Sequence, residues 1–508
     1  DRNVLQQIGI STNGLNPKKI HIYGNGGQLL PDGNSDFRYD DLQENAIFVA
    51  GENDGTFDAN DYILFYAKGP HDWDVNLSNN VVTHNQNIYS DKSYYFITVS
   101  DADGKRIPQK TPITTNAIAQ LTTFDDFTFY EKEERNILAA GTQWFFDDNF
   151  NIENTQTFTI PFPNAVNNQE INVKVRGVST SGFSSTMDVK VNGADAFTIN
   201  YPAINASSLT KAFALERNAR VNNTSESIQV GITYHNNGNP SANAFLDYIE
   251  VVGKKELQFS DFQFSFRSFA QANANGTVEY QIANGSTAFQ VWDVTDYINP
   301  QAIPNESAAN SFSFKDNGGV LKEYIILHED DFYSPEVIGN SKVANQNLHA
   351  VKDVNYMVIT NAELAAQAQR LADYHQTNSN LTTKVVVLDQ IYNEFSSGSR
   401  DITGIRDFIK HVYNTNSSET TKLKYVCFFG DSSYDYKDRI TGNNNIVPVK
   451  LSNTSFNMAN SWVTDDFFVM LDDNEGTMSG NHTVDVVSSR IPVSTIAEAT
   501  IVVDKILS

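Results

Sequence analysis

Apolar and polar positions alternate in short runs over the first two thirds of the chain. Ile20-His-Ile-Tyr23, Ala46-Ile-Phe-Val49, Tyr62-Ile-Leu-Phe-Tyr66 and Ser93-Tyr-Tyr-Phe-Ile-Thr98 are separated by Gly, Asn and Asp, the pattern of strands cut by turns. Period-two alternation follows in Ile171-Asn-Val-Lys-Val175, Met187-Asp-Val-Lys-Val191 and Leu246-Asp-Tyr-Ile-Glu-Val-Val252. Regular strand spacing with scarce helical patterning predicts a sandwich or jelly roll. The texture changes after His349, where apolar runs begin to alternate with amphipathic stretches. Tyr356-Met-Val-Ile359 precedes Thr360-Asn-Ala-Glu363, which reads as a capping box, and Leu364, Ala368 and Leu371 then recur at helical spacing. Lys384 to Leu388 reads as a strand, a helix opens at Asp401, and the uninterrupted run Tyr425-Val-Cys-Phe-Phe429 reads as a strand covered on both faces. Further strands are expected over Asp466 to Met470 and Val484 to Val487, and a last helix from Ser494 or Thr495.

That βαβαβ order implies a doubly wound parallel sheet with right-handed crossovers. The expected organisation is a β-rich amino-terminal domain over 1–125, a sandwich or jelly-roll domain over 126–345, and the first part of an α/β domain over 346–508. A start at Asp1 and an end within a helix suggest a trimmed amino terminus and a truncated carboxyl end.

Composition narrows the function. The chain has 36 Lys plus Arg against 61 Asp plus Glu, a formal charge of −25, which argues against nucleic acid or anionic lipid as partner. One Cys excludes a disulfide framework and a cysteine-based zinc site. No apolar stretch reaches the ~18 residues of a membrane span.

Family likeness is carried by Arg400-Asp-Ile-Thr-Gly-Ile-Arg-Asp-Phe408, Phe429-Gly-Asp431-Ser-Ser-Tyr-Asp435, Thr464-Asp-Asp-Phe467 and Ser489-Arg-Ile-Pro-Val493. Together these resemble the gingipain-type cysteine peptidases, whose fold is caspase-like. Tyr23-Gly-Asn-Gly-Gly27, Gly51-Glu-Asn-Asp-Gly55 leading to Asp61-Tyr-Ile-Leu-Phe65, Gly141-Thr-Gln-Trp144 and Val291-Trp-Asp-Val-Thr295 narrow the likeness to the type IX secretion sortases of that family. The resemblance implies a peripheral enzyme on the extracellular face of the outer membrane. Such an enzyme removes the carboxy-terminal signal domain of secreted cargo and transfers the cargo to lipopolysaccharide through a thioester. It also implies an attachment-complex partner such as PorV.

In the family, the catalytic His follows a Gly and the catalytic Cys ends a later strand, both after the segment matched by Ser489-Arg490. Neither segment occurs in this sequence, so no catalytic residue is assigned and this chain alone is expected to be inactive. Cys427 lies before Gly430-Asp431 in an apolar run, where a thiol is inert filler rather than a nucleophile. His328, His375 and His411 read as surface or helix-end residues.

The resemblance also implies a structural calcium site at Asp431 and Asp485, with Asn481 in place of an expected Asp. The other reading makes Asp431 a turn cap and Asp485 a solvated strand-edge acid. Glu52 to Asp61 has the look of an EF-hand loop, but Ala50 fills the first ligand position, so a polar hairpin turn is the better account. Asp465-Asp466 and Asp472-Asp473 read as turn and strand-end acids. The competing function is a non-catalytic surface scaffold or adhesion protein with a structural α/β domain.

Overall fold

The computed structural model describes residues 1–508 except 80, 308, 340 and 481. The amino-terminal body is a three-stranded antiparallel sheet with Ile20–Tyr23 between Glu44–Asn45 and Phe96–Val99. Ile20 and Ile22 point into a core with Leu5, Ile47, Val49 and Phe57. The acidic Glu52-to-Asp61 loop joins the paired strands Phe48–Val49 and Ile63–Leu64, as a polar turn should. There Asp61 accepts the Asp58 N–H at 2.7 Å and Glu52 pairs with Arg106 at 2.7 Å.

Two antiparallel sheets of four strands each follow, enclosing one core. One contains Gln169–Ser179 beside Ala244–Glu256, the other Ser185–Val191 beside Ser227–His235. Ile171, Val173 and Val175 alternate inward to meet Met187, Val189 and Val191, the layering of a sandwich. A second pair of sheets holds its own core around Phe266, Tyr280, Phe314 and Tyr324. Strands Ala119–Leu121 and Thr123–Glu131 already belong to these sheets, so the region from 119 onward contains two packed β units with separate cores.

Beyond them lies a parallel sheet in the order Thr383–Val387, Tyr356–Thr360, Tyr425–Phe429, Val487–Ile491. Successive residues of Tyr425–Phe429 face opposite sides. Val426 and Phe428 pack with Ile391, Ile405 and Ile409 of helices Leu388–Phe395 and Ile402–Asn414. Cys427 and Phe429 pack with Leu371 and Val503 of helices Ala365–Ser379 and Ile496–Leu507. Helices on both faces make this a doubly wound sheet and explain why the strand is apolar throughout.

Some local expectations changed. Thr360 is the last residue of its strand and donates its hydroxyl to the Phe429 carbonyl at 2.7 Å, so it forms no capping box; Asn361 accepts the Leu364 N–H instead. Asp466–Val469 is a 3-10 turn with three consecutive buried apolar residues, because burial on all sides does not distinguish turn from strand. The last strand is Val487–Ile491, three residues beyond the expected start, and the helix Leu388–Phe395 was not foreseen. Asp401 and Thr495 cap their helices as expected, through the N–H groups of Thr403 and Glu498.

Candidate functional site

Ligands of parallel sheets gather beyond the carboxyl ends of the strands. Here that edge is built by the chain leaving Phe429. Gly430 has φ +156°, and a Cβ there would come within 2.7 Å of both Ile446 and Val447, so the close approach of 446–447 requires glycine. The Asp431 carbonyl accepts the N–H groups of Ile446 and Val447, and its N–H donates to Val493. Its carboxylate accepts from the Ser432 N–H at 2.9 Å, from Asn444 Nδ2 and from Ser494 Oγ at 3.3 Å. These bonds match a turn-capping acid.

Arg490 closes the same edge. It grips Asp465 with two bonds of 2.9 and 2.6 Å and donates to the carbonyls of Gly430, Val447 and Pro448. All its nitrogens are committed, so it holds the 430–448 loop rather than a ligand. On the outer side Arg439 lies 4.3 Å above the Trp144 ring, Trp144 stacks on Tyr434, and Glu133 takes both Lys437 and Arg439. The β units therefore brace the loop that rims the sheet.

The two acids implied as a calcium site, Asp431 and Asp485, are not brought together. Asp431 follows the carboxyl end of Tyr425–Phe429, whereas Asp485 precedes the amino end of the neighbouring parallel strand, whose Val487 is level with Tyr425. At about 3.3 Å per residue that register sets them on the order of 20 Å apart, beyond the reach of one ion that needs oxygens at roughly 2.3–2.6 Å. Asn481 lies outside the described residues. Asp485 accepts the Leu471 N–H at 2.8 Å. Burial pushes its carboxyl up, and the neighbouring Asp472 and Glu475 add to the shift.

Cys427 is only 1% exposed, and burial raises its thiol further above its ordinary value. Such a sulfur does not supply a thiolate at neutral pH. His375 meets the Tyr356 ring edge-on at 4.7 Å and burial lowers its pKa, while His328 caps the short turn Glu329–Asp331.

His411 is different, and sequence reasoning missed its surroundings. The 24–43 segment leaves the amino-terminal body and lies across the α/β unit: Leu30 meets Asp401, Arg38 pairs with Asp407 at 2.8 Å, and Lys450 pairs with Asp32 at 2.6 Å. Asp40 is thereby set beside His349 and His411, with one potential ligand atom from each within 4.8 Å of the others. His349 Nδ1 faces Glu394 at 3.0 Å, its Nε2 lies 3.7 Å from the Asp40 carboxylate, and its ring stacks on Phe395. His411 Nε2 donates to the His349 carbonyl at 2.9 Å. Burial opposes charging of His349, but the Glu394 hydrogen bond and Asp41 and Asp40 outweigh it and raise its pKa. A cavity of about 380 Å³ opens beside the cluster between Arg38, Asp40, Lys410 and His411. Positions 40, 349 and 411 share no local spacing, so no motif announces them.

Residues 349–508 match the model of peptidase family C25. Among curated proteins no sequence matches. Among solved structures, dimeric latent PorU from Porphyromonas gingivalis superposes with a TM-score of 0.83 at 24% identity, over 99% of this chain and 47% of that one. The chain thus spans about half the length of that PorU structure. A CBM36 domain of a xylanase from the hindgut metagenome of Trinervitermes trinervoides matches 25% of this chain and 96% of its own, at 15% identity and a TM-score of 0.17, too low to bear on function. Both the family-model match and the fold agree with the likeness read from the sequence: the chain has a PorU-like fold and carries a peptidase family C25 segment over residues 349–508.

Proposed function

We propose that this chain is the amino-terminal portion of a PorU-like cell-surface sortase, a cysteine endopeptidase and transpeptidase. It acts on the carboxy-terminal signal domain of type IX secretion cargo and passes the cargo to lipopolysaccharide, at the outer membrane and beside a partner such as PorV. The observation that carries the reading is the PorU-like fold across 99% of the chain, joined to the C25 match. Within this portion the β units and the 24–43 segment brace the sheet, while Arg490 and Gly430 fix the loop at its carboxyl edge. A nucleophilic Cys and its His base are then contributed by residues outside these 508, because the lone sulfur here is buried and poorly ionised.

The test compares the full product of the gene with the 508-residue chain on a purified cargo signal domain. The full product is expected to release the domain and the 508-residue chain to leave it intact. Turnover by the 508-residue chain that disappears in Cys427→Ala would overturn the proposal, as would inertness of the full product.

A further inference from the structure

We propose that Asp40, His349 and His411 form a binding site for a borderline first-row divalent cation of the zinc class, which ties the 24–43 segment to the C25 segment. Two imidazoles and a carboxylate are a donor set that suits such a cation, and the three ligand atoms already lie within 4.8 Å of one another. The surroundings are those of a metal-binding histidine. Glu394 holds His349 Nδ1 at 3.0 Å and is itself fixed by the Leu348 N–H at 2.8 Å, which turns Nε2 toward Asp40. The His349 carbonyl in turn orients His411 through a 2.9 Å bond.

The positive groups nearby do not compete for the carboxylate. Arg38 is engaged by Asp407 and Lys410 by Asp473. Three protein ligands would leave a fourth position open, and Asp40 and His411 line the adjoining cavity of about 380 Å³, room enough for water or a small ligand. The balance is simple: His349 Nε2 lies 3.1 Å from the Asp40 carbonyl, and the proton held between them passes to solvent as the nitrogen–metal bond forms.

The test is zinc titration of the metal-stripped, tag-free 508-residue chain by calorimetry, with cobalt(II) absorption as a second readout of coordination. One ion per chain is expected, with a visible cobalt band of tetrahedral character. Asp40→Asn and His411→Gln are each expected to weaken zinc binding at least tenfold and remove the band. Asp40 is exposed, so its variant keeps the fold and carries the test even if His411→Gln does not fold. Absence of zinc binding, or binding that Asp40→Asn leaves unchanged, overturns the proposal.

Discussion

Asp401 accepts the backbone N–H of Leu30 at 2.9 Å across 371 positions of sequence, while the same carboxylate caps its own helix through the Thr403 N–H at 2.8 Å. One buried side chain therefore starts a helix of the C25 segment and fastens the amino-terminal segment to it. Arg406, one turn on, donates to the carbonyls of Asp32 and Pro31 and extends the seam.

Asp401→Ala removes a cap worth about 1 kcal/mol and strands a buried N–H at a cost of about 1–3 kcal/mol. A loss of roughly 2–4 kcal/mol is expected in urea unfolding. Burial pushes the Asp401 carboxyl up to about 6. Its folded pKa thus lies above the unfolded value of about 3.9, so its contribution is full below that value and is lost as pH rises through 6. Asp401→Asn should flatten stability between pH 4 and 6.

His84 sits between Glu250 at 2.6 Å and Glu131 at 2.7 Å, anchoring the Val81–Asn85 strand to the first sandwich. Burial opposes its charge, but the two glutamates prevail and its pKa rises to about 9. The stabilisation it gives is complete below the unfolded value of about 6.5 and fades as pH climbs through 9. Thermal melts of the parent chain should weaken between pH 7 and 9, and His84→Gln should lose that slope.

Arg490→Lys cannot reproduce the paired bonds to Asp465 and the three carbonyl contacts. A stability loss of about 2–4 kcal/mol is expected, and hydrogen exchange should quicken first at Ile446 and Val447, whose N–H groups bond to Asp431.

Legibility followed the range of the forces involved. Tyr425–Phe429 was readable because both of its faces are buried, and Asp401 because a cap is a local device. Thr360 misled because a carbonyl from another strand, Phe429, claims its hydroxyl. Asp431 and Asp485 were implied as partners, yet neighbouring parallel strands present opposite ends at those positions. Asp40, His349 and His411 were illegible because the α/β fold joins the two histidines and only the folded path of the 24–43 segment adds Asp40.

The most direct check is reaction of the native chain with a thiol-directed reagent, followed by mass spectrometry, alongside a denatured control. Cys427 should stay unmodified in the native chain over times that label the denatured chain fully. Rapid native labelling, at the rate of an exposed thiolate, would contradict a buried structural sulfur and return Cys427 to candidacy as the nucleophile.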